Sequence, residues 1–216
     1  MALTLYYGSG SPYAWRSQLA LEHKALPYEL KVLSFSAGDT RKPEFVALNP
    51  RHQVPVLVDG DFVLYESSAI AEYLDEAYPG RGAPLFPGDA RERAIVRRLV
   101  LEVDNYAFKS SDGLLEQAFW TKPEDRDAAK IAQGRQQVID ELALFSKAMH
   151  GEFLAGRLSA ADFAFYPMVA FLYRAQKMKL PDLDADGMLT PELRAWKSRI
   201  EALPYFAKTI PPHWRT

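Results

Sequence analysis

The sequence predicts an α/β unit followed by an all-helical one, and three observations predict it. Short apolar runs alternate with helical patterning from residue 3 to about residue 78. Pro79, Gly80, Gly82, Pro84, Pro87 and Gly88 then crowd one short stretch. Beyond them strand-like alternation does not return. The expected organisation is an α/β domain over residues 1–78, a linker over 79–88, and a helical domain over 89–216.

Leu3 to Tyr7 is short, apolar and β-prone, and it ends at Gly8, so it reads as a buried first strand. Ser11 is a good N-cap and Pro12 suits the first helical position, so a helix over Pro12 to Lys24 follows at once. Its inward positions are Ala14, Trp15, Leu19, Leu21 and Ala25, and His23 reads as a surface residue or a charge at the helix end. Tyr28 to Phe35 alternates as a second strand, and a βαβ unit this short implies a parallel pair with a right-handed crossover. Gly38 to Asn49 is polar, then weakly helical, and Asn49-Pro50 marks a stop.

Val54 to Val58 is a third strand with proline as its second residue, a placement foreign to a sheet interior. Asp59-Gly60-Asp61 turns it into Phe62-Val63-Leu64, a hairpin. Ser67 or Ser68 then opens a helix carrying Ile70, Tyr73, Leu74 and Ala77, which completes the order βαβαββα near Tyr78. In the second unit, Asp89 to about Gln117 reads as one long helix with Asp112-Gly113 as a point of interruption. Pro123 stands at a first-turn position ahead of Ile131, Val138, Leu142, Phe145 and Met149. Ser159-Ala160-Ala161-Asp162 has the outline of a capping box, with Leu158 and Phe163 at the staple positions. The apolar helix behind it is the expected centre of the domain; a helix near Pro191 to Leu203 and a proline-rich tail finish the chain.

Composition narrows the function classes. With 26 basic and 28 acidic residues the net charge is −2, which gives no pull toward nucleic acid or an anionic membrane surface. There is no cysteine, so disulfides, thiolate metal sites and a cysteine nucleophile are all excluded. The run from Phe163 to Tyr173 contains Pro167 and is far shorter than the ~20 residues of a membrane span. The first residues lack a basic segment ahead of a long apolar core, so no signal peptide is expected and the cytoplasm is the expected compartment. His150 and His213 have no partners at metal-ligand spacing, and no metal is expected.

Three stretches of the α/β unit concentrate backbone groups where strands give way to helices or turns: Gly8 to Pro12, Val54-Pro55, and Glu66-Ser67-Ser68. In an open α/β sheet such ends form the binding crevice. A helix beginning at Ser11 offers a hydroxyl beside a positive dipole end; the plainer alternative is that Ser11 only caps and Gly8 and Gly10 only turn. Val54-Pro55 is a candidate cis bond that would leave the Val54 backbone open to an extended peptide, with an ordinary trans bond as the alternative. Glu66-Ser67 offers an acid, a hydroxyl and free amides, which suit a group bearing both an amine and a carboxylate, unless it too is a simple cap.

Four stretches, in this order, resemble the cytosolic glutathione transferases over essentially the whole chain. Ser11-Pro12-Tyr13-Ala14-Trp15-Arg16 is similar to the active-site segment of the serine-type classes, tau and zeta above all. Asn49 to Leu57, with Val54-Pro55 inside it, resembles the strand-three motif; Tyr65 to Ile70 resembles the γ-glutamyl-binding motif; Leu158 to Phe163 resembles the capping box of the second domain. The resemblance implies a thioredoxin-like first domain and an all-α second domain. It implies glutathione as co-substrate, no metal, a small hydrophobic electrophile, and a homodimer. Carried over, Ser11 donates to the glutathione sulfur, Val54 of the Val54-Pro55 pair binds the cysteinyl backbone, and Glu66 and Ser67 hold the γ-glutamyl end. Tyr7 and Ser9 are rival donors to the sulfur.

The chain also departs from the family pattern. His52 and Gln53 stand where glycine and lysine often precede Val-Pro, so Gln53 is the candidate for binding through its amide and Arg51 or His52 for the charge. Maleylacetoacetate isomerases of the zeta class carry Ser-Ser-Cys where this chain has Ser11-Pro12-Tyr13, which weighs against that alternative activity. A third alternative is a member that binds glutathione or a hydrophobic ligand without catalysis. For the electrophile side the aromatic candidates are Tyr106, Phe108, Trp120 and Tyr166, each weighed against the general bias of aromatics toward cores.

Overall fold

The computed structural model describes residues 3–215. They divide into two compact units, residues 3–87 together with 203–215, and residues 88–202.

In the first unit, strand β1 (Leu3–Gly8) runs into helix α1 (Pro12–His23) and then strand β2 (Tyr28–Leu33). A short helix α2 (Pro43–Val46), strands β3 (Val56–Asp59) and β4 (Phe62–Tyr65), and helix α3 (Ser67–Ala77) follow, which is the expected βαβαββα order. The sheet order is β2-β1-β3-β4. β1 and β2 are parallel, as a βαβ crossover requires, while β3 is antiparallel to both β1 and β4. One face of β1 is apolar at Leu3, Leu5 and Tyr7, each buried, and α1 covers the sheet with Trp15, Leu19 and Leu21. Pattern and packing agree here, because alternation and helical periodicity select the same residues.

The far end of α1 departs from its sequence reading. Lys24 is buried and its Nζ lies 3.1 Å from Asp75 Oδ1 of α3, while Asp75 also accepts the backbone N–H groups of Leu85 and Phe86. Ala25, expected inward, is exposed at φ 48 just past the helix. His23 is no surface charge: its Nδ1 lies 2.8 Å from the Tyr205 hydroxyl, and burial lowers its pKa to about 4. Tyr205 belongs to the last stretch of the chain. That stretch, with helix α10 (Phe206–Thr209), runs back along α1 from His23 toward its N-terminus: Lys208 meets Glu22 at 2.7 Å, and the Trp15 indole N–H donates to Thr209 Oγ1 at 3.0 Å. The sequence carries no local sign of this, because every one of these contacts spans more than 180 residues of chain.

In the second unit, one rod runs from Ala90 to Trp120. It consists of α4 (Ala90–Glu102), a π-helical stretch Val103–Ala107, α5 (Phe108–Leu115) and a second π-helical stretch Glu116–Trp120. Asp112-Gly113 does not interrupt it. Leu114 and Leu115, just beyond Gly113, are buried against the facing helix, and that packing outweighs the ~1 kcal/mol penalty of a helical glycine. The irregularities fall instead where one extra residue per turn is accommodated. Pro123 begins only a 3₁₀ turn, Pro123–Asp125; the helix proper, α6 (Ala128–Ala148), starts at Asp127, whose carboxylate accepts from the N–H groups of Ala129 and Lys130.

Helix α7 (Ala160–Met178) is buried along its first half, Pro167 included, and is the centre of this unit, as expected. Asp162 is fully buried. It accepts from Ser159 N–H and Oγ–H, from Leu154 N–H, and from the indole N–H of Trp196 on α9 (Pro191–Glu201), which follows the short α8 (Ala185–Met188). Burial lifts its pKa to about 6 while these donors pull it down. Phe165 stacks on Phe145 and packs against Trp196, between α6 and α9. Among the described residues no helix is long and apolar enough to cross a membrane.

Candidate active site

The sheet register brings the three backbone-rich stretches to one edge. Tyr6 of β1 is opposite Val56 of β3, and Val56 is opposite Tyr65 of β4. Just past that row, β1 ends at Gly8, β3 is entered from Val54-Pro55, and β4 gives way through Glu66 to α3 at Ser67. The approach is close: a Cβ on Gly8 would lie 3.0 Å from Val54 Cγ2 and 2.3 Å from the exposed ring of Phe35, which it would displace.

Ser11 is the N-cap of α1, at φ −70 and ψ 121, and its Oγ accepts the N–H of Ala14 at 3.2 Å. Its own N–H donates to the Gly8 carbonyl at 2.9 Å, closing a turn whose third residue, Gly10, has φ +87. Because the Ser11 oxygen is used as an acceptor, its hydroxyl proton is left to donate outward. Tyr7, the first rival, is almost fully buried, and burial pushes its phenol up to about 12 against the opposing pull of the Gly10 backbone and the Arg215 charge. Ser9, the second rival, is half-buried in the turn, with His213 Nδ1 2.8 Å from its Oγ.

Val54-Pro55 is a cis peptide. Asn49, buried beneath it, donates from Nδ2 to the Gln53 carbonyl at 2.8 Å and accepts the Arg51 N–H on Oδ1 at 3.0 Å, which holds the 49–53 turn. Gln53 and Arg51 are exposed. His52 is exposed too, at φ 58, and its Nδ1–H donates to the Thr40 carbonyl at 3.2 Å.

Helix α3 begins differently from α1. Glu66 sits at φ 71, is exposed, and makes no side-chain cap to the helix. Ser67 is buried and its Oγ accepts Arg16 Nε–H at 2.7 Å. Arg16 therefore ties α1 to the start of α3. Arg16 closes the Ser11–Arg16 motif, which gives it no role of its own, although it is the only charge between Pro12 and Leu21. Asn49, a stop signal and the first residue of the strand-three motif, has no role of its own in the sequence pattern, and neither does His213. A lone charge on an apolar helix was the signal for Arg16; nothing local marks His213.

Among the aromatic candidates of the helical unit, the structure gathers no single surface. Tyr106 and Trp120 are exposed, each on its own π-helical stretch, and Phe108 is half-buried. Tyr106 borders a groove of about 430 Å³ with Arg98, Glu102, Glu141 and Leu144, which none of the other three lines. Tyr166 is a packing residue: its ring lies against Trp196, its hydroxyl donates to Glu201 at 2.8 Å, and burial together with that carboxylate holds its pKa well above the usual phenol value.

Residues 10–77 match the family model described as glutathione S-transferase, N-terminal domain, and residues 113–204 match glutathione S-transferase, C-terminal domain. The chain belongs to the glutathione transferase family. Glutathione S-transferase A of Pleuronectes platessa is 31% identical over 98% of this chain and 92% of its own length. A probable maleylacetoacetate isomerase of Vibrio cholerae is 35% identical over 98% of this chain and 96% of its own. Among solved structures, a glutathione S-transferase from the Antarctic clam Laternula elliptica superposes with a TM-score of 0.84 at 33% identity, covering 100% of this chain and 94% of that one. Membership accounts for the fold of both units and for glutathione as the family's co-substrate.

Proposed function

We propose that this family member joins the sulfur of glutathione to small hydrophobic electrophiles, with Ser11 as the donor that stabilises the thiolate. The observation that carries this reading is the common sheet edge of Ser11, Val54 and Ser67, cross-braced by Arg16. A free thiol has a pKa near 8.5, so a site that works at neutral pH must favour the anion by ~1–2 units, about 1.4–2.7 kcal/mol. A hydroxyl whose oxygen already accepts Ala14 N–H, at the positive end of α1, is suited to that task. The proton leaves to solvent, the sulfur lone pair forms the new bond to the electrophilic carbon, and the leaving group departs with its bonding pair.

In the same reading the Val54 backbone binds the cysteinyl residue, the Ser67 hydroxyl and the first N–H groups of α3 take the γ-glutamyl carboxylate, and Glu66 takes its amine. Gln53 takes the glycyl end through its amide. His52 spends Nδ1 on Thr40, which leaves Arg51 as the freer cation there. Residues 1–78 then serve glutathione and the helices beyond the 79–88 linker serve the electrophile, with Tyr106, Phe108 and Trp120 ahead of Tyr166. A homodimer and a detoxifying role in the cytoplasm complete the proposal.

Glutathione resin and a model aryl halide test it together. Retention with turnover supports conjugation, retention without turnover selects the ligand-binding alternative, and failure of both removes the reading. The similarity to the Vibrio cholerae isomerase favours a second reading, cis-trans isomerisation of maleylacetoacetate, against which Pro12-Tyr13 stand. Isomerisation of that substrate faster than aryl halide conjugation would reverse the order of the two.

A further inference from the structure

The tail that runs along α1 ends at the Gly8–Ser11 turn. His213 Nδ1 lies 2.8 Å from Ser9 Oγ, and the indole N–H of Trp214 donates to His213 Nε2 at 2.9 Å. Trp214 in turn packs edge-on against Trp15 of α1, with ring centroids 5.3 Å apart, and the His213 ring fills the space beside Gly10, where a Cβ would come within 2.9 Å of it. An indole nitrogen only donates, so Nε2 must accept and the imidazole proton sits on Nδ1. Nδ1–H then donates to Ser9 Oγ, and the Ser9 hydroxyl proton is left to point elsewhere.

The same device appears at the other two serines of this edge. Ala14 N–H occupies the oxygen of Ser11, and Arg16 Nε–H occupies that of Ser67, so each hydroxyl proton is turned away from that donor. We propose that His213, held in its Nδ1–H tautomer by Trp214, is a positioning residue that makes Ser9 a second hydroxyl donor to the glutathione sulfur beside Ser11. The inference rests on the conjugation reading above. It assigns a role at the thiolate site to the chain's C-terminal segment, more than 200 residues from the serine it acts through.

Two measurements test it. Long-range ¹H–¹⁵N correlation on ¹⁵N-histidine protein, without glutathione, reads the tautomer directly: Nδ1–H is expected for His213, with the tautomer ratio shifting in Trp214→Phe, and an Nε2–H tautomer in the wild type overturns the inference. The pH dependence of thiolate absorbance in the glutathione complex reads the consequence. Loss of one of two hydroxyl donors to the thiolate is expected to raise the bound thiol pKa by about 0.5–1 unit, part of the ~1–2 units the site must supply. That rise is expected for His213→Ala and for Ser9→Ala, with no further rise in the double variant, and His213→Asn, which keeps an N–H near Nδ1, is expected to recover most of it. A purely structural tail would move the melting temperature and leave the bound thiol pKa in place. An unchanged thiol pKa in His213→Ala, with wild-type protein that does form the thiolate, overturns this inference and spares the conjugation reading; wild-type protein that binds no glutathione overturns both.

Discussion

Helices α1 and α3 open onto the same edge of one sheet, yet they are begun in opposite ways. The first turn of α1 is closed by its own chain: Ser11 in extended backbone gives its oxygen to Ala14 N–H, and Pro12 presents no N–H at all. The first turn of α3 has no such closure, since Glu66 stands at φ 71 with its side chain outside the helix. A capped N-terminus keeps its dipole but has fewer free N–H groups, which suits hydroxyl donors acting on a sulfur. An uncapped one keeps its N–H groups for a carboxylate. In the proposed reading the two helix starts serve the sulfur and the γ-glutamyl end of one tripeptide, and Arg16, donating from α1 to Ser67, joins them.

The comparison is broken most severely at Ser11. In Ser11→Ala the bound thiol pKa is expected to rise ~1–2 units, so that turnover at pH 6.5 falls about 10- to 100-fold while the KM for glutathione stays within a few-fold. A variant with unchanged turnover and thiol pKa would transfer the donor role away from Ser11. The far end of α1 supplies the next effect. His23 is neutral in the fold with its pKa lowered to about 4 against 6.5, so the unfolded chain takes up the proton first. The stability it contributes is complete above pH 6.5 and is lost as pH falls toward 4, on the order of 2 kcal/mol. Urea melts at pH 7 and pH 4.5 should show this slope, and His23→Phe should flatten it; equal slopes would place the acid sensitivity elsewhere.

Ser67→Ala separates the two helix starts. Glutathione KM is expected to rise about tenfold, the worth of one hydrogen bond to a charged group, with the bound thiol pKa unmoved. Calorimetry of glutathione binding checks the first part and the absorbance titration the second. The smallest effect is at Glu66→Gly, which removes both a strained φ and a carboxylate. Stability is expected to rise by ~1 kcal/mol while glutathione resin retention weakens, and a variant that is less stable would deny that the backbone at Glu66 is strained.

Legibility followed the range of the interaction. Ser159 and Asp162 are three residues apart, so their capping box could be read from spacing, and the structure adds Leu154 N–H and the Trp196 indole as further donors. The Asp59-Gly60 hairpin and the Ser11-Pro12 helix start are equally local. The partner that makes Lys24 a buried ion-pair member is 51 residues away, and spacing alone assigned Lys24 to a helix end. Within the long rod, Gly113 suggested a break because propensity is local, whereas the buried Leu114 and Leu115 that carry the helix through it are decided by packing.

The chain order alone therefore determined the βαβαββα unit, the helical unit, the absence of cysteine chemistry and three stretches with backbone groups to spare, since each depends on neighbours in sequence. Only the tertiary structure decided that those stretches share one edge, that Arg16 joins α1 to Ser67, and that the last residues return to lie along α1 with His213 on Ser9. Pairing across a sheet and docking of a distant tail are set by which surfaces exclude water together, and that is a property of the folded chain rather than of any window along it.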